Sequence, residues 1–169
     1  MQTITAADLV LEPLMVAHAP EMFEVLCDPL TYRYLDHPPP ASVDHLRAVY
    51  KQLETRKSPD GRQLWLNWVV RVPGQPPMGY VQATVVSPGR AWVAYLLASK
   101  HWGRGHAHTA MLAMLDDLGK SCGVTRTMAT VEAGNQRSMR LLERLGFHGA
   151  TAQEAAGHEL SATERLFLR

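Results

Sequence analysis

Hydrophobic and polar positions follow different periods along the chain, and each change of period marks an element. A short apolar run at residues 8–12 predicts a strand. Residues 18–27 and 43–56 predict helices, the second opened by Ser42 as an N-cap. Residues 64–72 (LWLNWVVRV), 78–86 (MGYVQATVV) and 91–98 (AWVAYLLA) are rich in β-branched and aromatic side chains. Their connections are short, so they predict an antiparallel meander. The period then becomes 3.6, because Ala107, Ala110, Met111, Met114, Leu115, Leu118 and Cys122 recur at steps of three and four. A short strand, Thr127 to Val131, follows that helix. The strand–helix–strand order over 91–131 implies a crossover and a parallel pair. Asn135 opens a further helix that stops at Leu145-Gly146-Phe147, with Gly146 suited to the left-handed position and Phe147 folding back on Leu142. Thr163 to Leu168 predicts the last strand.

Pro38-Pro39-Pro40, Ser58-Pro59-Asp60-Gly61, Pro73-Gly74-Gln75-Pro76-Pro77 and Ser87-Pro88-Gly89-Arg90 punctuate these elements as turns. Nothing repeats. The class is α+β, a mixed α/β fold on a largely antiparallel sheet, in a single domain over residues 1–169. With 46% hydrophobic and 20% charged residues the chain is globular, and a net charge of +1 supplies no uniform field for nucleic acid or an anionic membrane. No apolar run approaches the ~18 residues of a membrane span, and the amino terminus lacks the marks of a secretory leader. Cys27 and Cys122 have no paired spacing and read as reduced thiols. These features predict a cytoplasmic protein, monomer or homodimer. Charge is uneven along the chain: the first 60 residues hold nine acids and five bases, the remainder seven and twelve. Two such parts facing across a cleft would set a cationic ligand against an anionic one.

Lys100-His101-Trp102-Gly103-Arg104-Gly105-His106-Ala107-His108-Thr109 carries the candidate chemistry. It joins a strand to the first turn of the long helix, where free N–H groups and the helix dipole favour a pyrophosphate. Two glycines and an alanine keep bulk away, and no acid occurs between residues 91 and 115. A Rossmann fingerprint would need glycine where His108 stands, and a P-loop would need Gly-Lys-Ser/Thr. His101, His106 and His108 lack a Cys or carboxylate partner in the motif, so no metal is expected. Trp65, Trp68 and Trp92 on the meander read mostly as core, and the methionines as packing.

Asn135-Gln136-Arg137-Ser138 through Gly146-Phe147 follows 28 residues after Ala107. Together, Trp-Gly-Arg-Gly-His-Ala and Asn-x-x-Ser-x7-Gly-Phe resemble the GNAT acetyltransferase superfamily, most of all its branch of ribosomal-protein N-terminal acetyltransferases. The resemblance implies a twisted, mostly antiparallel sheet flanked by helices, with its parallel pair at the cofactor cleft. It further implies acetyl-CoA as cosubstrate and no metal. Main-chain groups of Gly103, Arg104, Gly105, His106, Ala107 and His108 would cradle the pyrophosphate. Leu96, Leu97 and Ala98 would pair with the pantetheine amides as an added strand. Asn135 would contact the pantetheine end, and Ser138 would protonate the leaving thiolate. Leu142 stands where many members carry a proton-donating tyrosine. Arg137 and Arg140 are candidates for the 3′-phosphate.

The expected reaction is direct transfer of acetyl to a primary amine, on a protein N-terminus or a small molecule, in a ternary complex. A non-catalytic acyl-CoA binding module on the same fold is the alternative. Glu132, His37, His45 and Tyr95 are candidate bases, as is a water chain. Glu21, Glu24, Asp28, Asp36 and Asp44 are candidates for attracting a cationic acceptor, and the loops between residues 28 and 62 for choosing it.

Overall fold

The computed structural model describes residues 1–35, 37–87 and 89–169; Asp36 and Pro88, the latter in the expected turn at 87–90, lie outside the described residues. The sheet begins with a hairpin of β1 (Ile4–Ala6) and β2 (Leu9–Pro13), turned through Ala7 at φ +52°. α1 (Ala19–Leu26) carries Pro20 in its first turn, where a missing N–H costs nothing. α2 (Val43–Leu53) starts as expected, Ser42 Oγ accepting from the His45 N–H at 3.0 Å. It stops three residues before the predicted end, and beyond it Arg56 sits at φ +62°, outside helical space.

The meander is β3 (Leu64–Arg71), β4 (Gly79–Ser87) and β5 (Arg90–Leu97). α3 (His106–Cys122), β6 (Arg126–Glu132) and α4 (Gln136–Arg144) follow. α4 closes as its sequence dictates. Gly146 takes φ +85°, the Phe147 N–H donates to the Leu142 carbonyl at 3.0 Å, and the Gly146 N–H donates to Glu143 at 3.0 Å. A two-residue β7 (His148–Gly149), a single turn α5 (Ala152–Ala155) and β8 (Glu164–Leu168) complete the chain.

The eight strands form one sheet in the order β1-β2-β3-β4-β5-β6-β8-β7, antiparallel at every junction except β5 with β6. The apolar stripe of α3 (Ala110, Met111, Met114, Leu118) lies fully buried against one face, on Trp68, Val70, Val81 and Leu97. Truncating a side chain such as Leu118 to alanine there costs roughly 2–5 kcal/mol. α1 and α2 cover part of the other face, where Met22, Leu46 and Tyr50 pack on Val69 and Leu96.

One irregularity positions the site. β5 and β6 pair through Arg90–Arg126, Ala91–Thr127 and Trp92–Met128, and there the pairing ends. β5 continues beside β4 as far as Leu97–Gly79, and β6 beside β8 as far as Glu132–Glu164. The two central strands thus splay into a V, leaving the second half of β5 with a free edge.

Candidate active site

A cavity of about 540 Å³ occupies the V. Tyr95, Leu96 and Leu97 line it from β5, the turn from His101 to His108 closes one end, and Asn135 to Ser138 of the α4 start face them. A 3-10 segment, Pro29–Tyr34, roofs the cavity with Leu30, Thr31 and Tyr34. Asp28 anchors that roof: its carboxylate accepts from the Leu30 N–H at 3.1 Å and from the Ser99 N–H at 2.6 Å. Burial would raise the Asp28 pKa, but these bonds and the nearby Lys100 charge hold it below the ordinary carboxylate value. At the far side Tyr34 lies against Gly134, close enough that a Cβ there would stand 3.2 Å from the Tyr34 ring.

The structure therefore gathers Leu96, Leu97, Gly103, Gly105, His106, Ala107, His108, Asn135 and Ser138 around one space. Two residues singled out in the sequence are absent from its lining. Arg104 is exposed on the turn, and the Ala98 side chain is buried with the α1–α2 cluster.

The strand edge is narrower than the sequence suggests. The Ala98 N–H donates to the Met78 carbonyl at 2.9 Å, and the Leu96 carbonyl lies over Gly79, so both residues turn polar groups toward β4. By the alternation of an antiparallel ladder, Tyr95 and Leu97 present theirs to the V. The Leu97 carbonyl already has a partner, the Trp102 indole N–H at 2.7 Å. The Arg137 guanidinium stacks on that indole, its Cζ 3.4 Å from the ring centroid, which ties the turn to α4.

The turn itself presents its main chain to open space. Gly103 and Gly105 adopt φ +75° and +84°, conformations that L side chains resist, and a Cβ on either would meet nothing within 4 Å. Open space above an exposed main chain suits a close-approaching ligand. α3 has no side-chain N-cap, and its first internal bond runs from the Thr109 N–H to Gly105. The N–H groups of His106, Ala107 and His108 accordingly lack partners among the described residues. His106 Nδ1 is buried and also unpartnered. Burial, together with the charges of Lys100, His106 and Arg104, depresses the His101 pKa. The turn is thus electropositive, and its setting disfavours a further charge on His101 itself.

At the other end two hydroxyls meet. Tyr95 Oη lies 3.2 Å from Ser138 Oγ, and the Ser138 N–H donates to Asn135 Oδ1 at 3.1 Å. Asn135 is both helix cap and the residue that fixes Ser138. Burial raises the Tyr95 pKa, outweighing the Ser138 bond and the Arg137 charge, so the phenol keeps its proton at neutral pH. Leu142 is 1% exposed and belongs to the core.

Of the four candidate bases only Tyr95 lines the cavity, and it is a donor. His37 and His45 are exposed, and Glu132 ends β6 outside the lining. Among the described residues the expected acidic wall is also absent. Glu21, Glu24 and Asp28 line a separate concavity behind α1, Asp44 is exposed and pairs with Arg47 at 2.7 Å, and Asp36 lies outside the described residues. Among the described residues no carboxylate lines the cavity. The sequence reading missed Tyr34, Leu30, the Trp102 bond and Arg144. The last was legible, since Arg137, Arg140 and Arg144 recur at steps of three and four.

Among the described residues no group of His, Cys, Asp or Glu is arranged to hold a metal, and no helix is long and apolar enough to cross a membrane. An uncharacterized N-acetyltransferase p20 of Bacillus licheniformis is 26% identical over 149 residues, covering 87% of this chain and 83% of that protein. The Vibrio cholerae spermidine N-acetyltransferase, solved in complex with CoA and spermine, has a TM-score of 0.77 over 96% of this chain and 95% of its own, at 18% identity. A Salmonella typhimurium acetyltransferase that modifies the N-terminal serine of ribosomal protein L7/L12 has a TM-score of 0.79 over 99% and 98%, at 15% identity. At those identities the structural likeness speaks to the fold. The model of the GNAT acetyltransferase domain matches residues 8–148, from β2 through the splayed strands and α4 to the first residue of β7. By that match the chain belongs to the GNAT acetyltransferase family and is an acyltransferase.

Proposed function

We propose that this chain binds acetyl-CoA and transfers its acetyl group directly to a primary amine in a ternary complex. The supporting observation is the continuity of one cavity: the N–H cradle at 103–108, the free edge of β5 and the Tyr95–Ser138 pair follow one another along it. That sequence of features suits the pyrophosphate, the pantetheine amides and the thioester of one extended molecule. The unpartnered N–H groups and the buried His106 Nδ1 fit its phosphates.

CoA bound there would supply the activated acyl group; this chain's residues position it and move a proton. Tyr95 and Leu97 hold the extended chain by main-chain bonds. Asn135 fixes Ser138 through its N–H. As the carbon–sulfur bond breaks, Ser138 gives its hydroxyl proton to the departing sulfur, Tyr95 restores it through their hydrogen bond, and the phenol regains its own proton from water. With no carboxylate in the described lining, the proton of the attacking amine leaves through water.

The roof favours an acceptor whose remaining part is uncharged. Leu30, Thr31, Tyr34 and Leu35 are neutral, whereas a polyamine would call for several carboxylates. Acyl-CoA binding without turnover would suit the loss of a tyrosine at Leu142, but the Tyr95–Ser138 pair supplies a donor from the opposite wall. Calorimetric titration with acetyl-CoA, followed by thiol release with a panel of peptide N-termini and small amines, tests the reading. Micromolar binding and amine-dependent release are expected; binding with no release for any amine would favour the binding module.

A further inference from the structure

The roof over the V is held at its two ends. No residue of the Pro29–Tyr34 segment is buried, so it has no apolar anchor of its own. It runs from one strand tip to the other. At its start Asp28 bonds to Ser99, just past the end of β5, and at its finish Tyr34 rests on Gly134, just past the end of β6. The first fastening is polar and short. The Ser99 N–H donates to Asp28 Oδ2 at 2.6 Å and the Leu30 N–H to Oδ1 at 3.1 Å, so one side chain joins the roof to the tip of β5. The Thr31 hydroxyl adds a bond to the Asp28 carbonyl at 2.7 Å. A second concavity, of about 740 Å³, is lined by Asp28, Ser99 and Lys100, so space rather than packed side chains adjoins the bond. Both carboxylate oxygens are committed to main-chain donors. An amide of the same shape has one acceptor atom, and its NH2 would face the other N–H.

The roof presents Leu30 and Leu35, which line the cavity yet are 60% and 38% exposed. Apolar side chains left partly in water at a cavity mouth gain from an apolar group of a ligand laid on them. We propose that Asp28 is a positioning residue for the acceptor: by fastening the roof to the tip of β5, it holds Leu30 and Leu35 where an apolar group beside the acceptor amine rests on them. This rests on the acetyl-transfer reading above and deepens it, since it names the wall that selects the amine. Asp28 acts through the roof and not on the reacting atoms.

The test is a double-mutant cycle of Asp28→Asn and Ser99→Pro in the whole protein. Ser99→Pro deletes the donor N–H where proline is tolerated, at the first residue of a 3-10 turn preceded by Ala98 at φ −56° and ψ 144°. Two readouts are taken: initial rates with leucine amide as acceptor, and tryptic cleavage after the exposed Arg33 of the roof, which needs no activity. Each single variant is expected to raise the leucine amide KM about tenfold, with kcat and the acetyl-CoA KM within about twofold. Cleavage after Arg33 should quicken in both. The double variant should match the singles, because both delete the same bond. Faster cleavage with an unmoved acceptor KM would overturn the proposal and leave Asp28 a structural fastening alone. So would equal rises in both KM values, or effects that multiply in the double variant. Should one substitution unfold the chain, the other supplies the same split between the two KM values. Transfer to no amine by the folded, unaltered protein would remove the acetyl-transfer reading and the proposal together, whatever the cleavage rates.

Discussion

Tyr95 and Ser138, 43 residues apart in sequence, place their hydroxyls 3.2 Å from each other at the mouth of the splayed strands. Each reaches that point by a different local rule. Tyr95 is turned inward by strand alternation, and Ser138 is held in the first turn of α4 by its cap residue. Two donors sharing one hydrogen bond have a measurable consequence. Ser138→Ala should lower kcat about a hundredfold with acetyl-CoA affinity nearly intact, as expected for loss of a positioned proton donor. Tyr95→Phe should lower kcat less, and the double variant should be little worse than Ser138→Ala alone. Independent, multiplying effects in the cycle would mean that the two hydroxyls do not act in series.

Gly79 holds the free edge in place. A Cβ there would collide with the Leu96 carbonyl and come within 2.7 Å of the Leu97 Cα, both main-chain atoms that cannot swing away. Gly79→Ala should therefore destabilise the fold by about 2–3 kcal/mol, in the range of forced overpacking, as read from urea unfolding. A change below half a kcal/mol would show that β4 and β5 separate more easily than their ladder implies.

Gly105→Glu tests the cradle. The residue must hold φ +84° at the start of α3, and the new carboxylate would oppose the ligand's phosphates at a helix N-terminus. Acetyl-CoA binding should fall below detection while the circular dichroism spectrum stays that of the folded protein. Retained micromolar affinity would place the phosphates elsewhere.

Alkaline pH should weaken the fold through its buried tyrosines. Burial, with a lesser contribution from Tyr32, pushes the Tyr80 pKa up to about 12, and burial pushes Tyr50 further still. In the unfolded chain a tyrosine ionises near 10. Below about pH 10 both states hold the proton and stability is unaffected; above it the unfolded chain binds fewer protons than the native one, so stability falls as pH rises. The urea midpoint should stay level from pH 8 to about 9.5 and decline beyond pH 10, and Tyr80→Phe should make that decline shallower. Identical pH profiles for the two proteins would show that Tyr80 is not the group responsible.

Acceptor choice should respond to the roof. Tyr34→Ala removes the ring that meets the main chain at Gly134 and should raise the acceptor KM severalfold while leaving that of acetyl-CoA unchanged. Equal rises in both would put Tyr34 in the cofactor half of the cavity.

Local rules made much of this molecule legible. The α3 stripe, the meander and the Schellman ending of α4 each depend on residues close in sequence, the parallel pair follows from the order of strand, helix and strand, and all are present as the sequence implies. β1 escaped because three residues carry no period, and its turn depends on Ala7 in a conformation unusual for alanine. The roof at Pro29–Tyr34 depends on Asp28 reaching a main-chain N–H 71 positions away, which no periodicity records. The supposed acidic wall failed for a related reason. Sequence proximity put Glu21, Glu24 and Asp28 together, but they line a separate concavity beside Arg71 and Lys100 rather than the V.

An interior strand that stops pairing halfway has the same weakness as the outer strand of any open sheet: bare carbonyls and amides invite another chain to add on. Here the exposed run is the end of β5, and the Trp102 indole, capped by Arg137, covers the Leu97 carbonyl at its tip. With that acceptor filled, the tip of β5 offers an incoming strand one fewer place to pair. A molecule lying along the V would close the rest of that edge, so the surface that invites a ligand and the surface that invites a stray strand are one and the same.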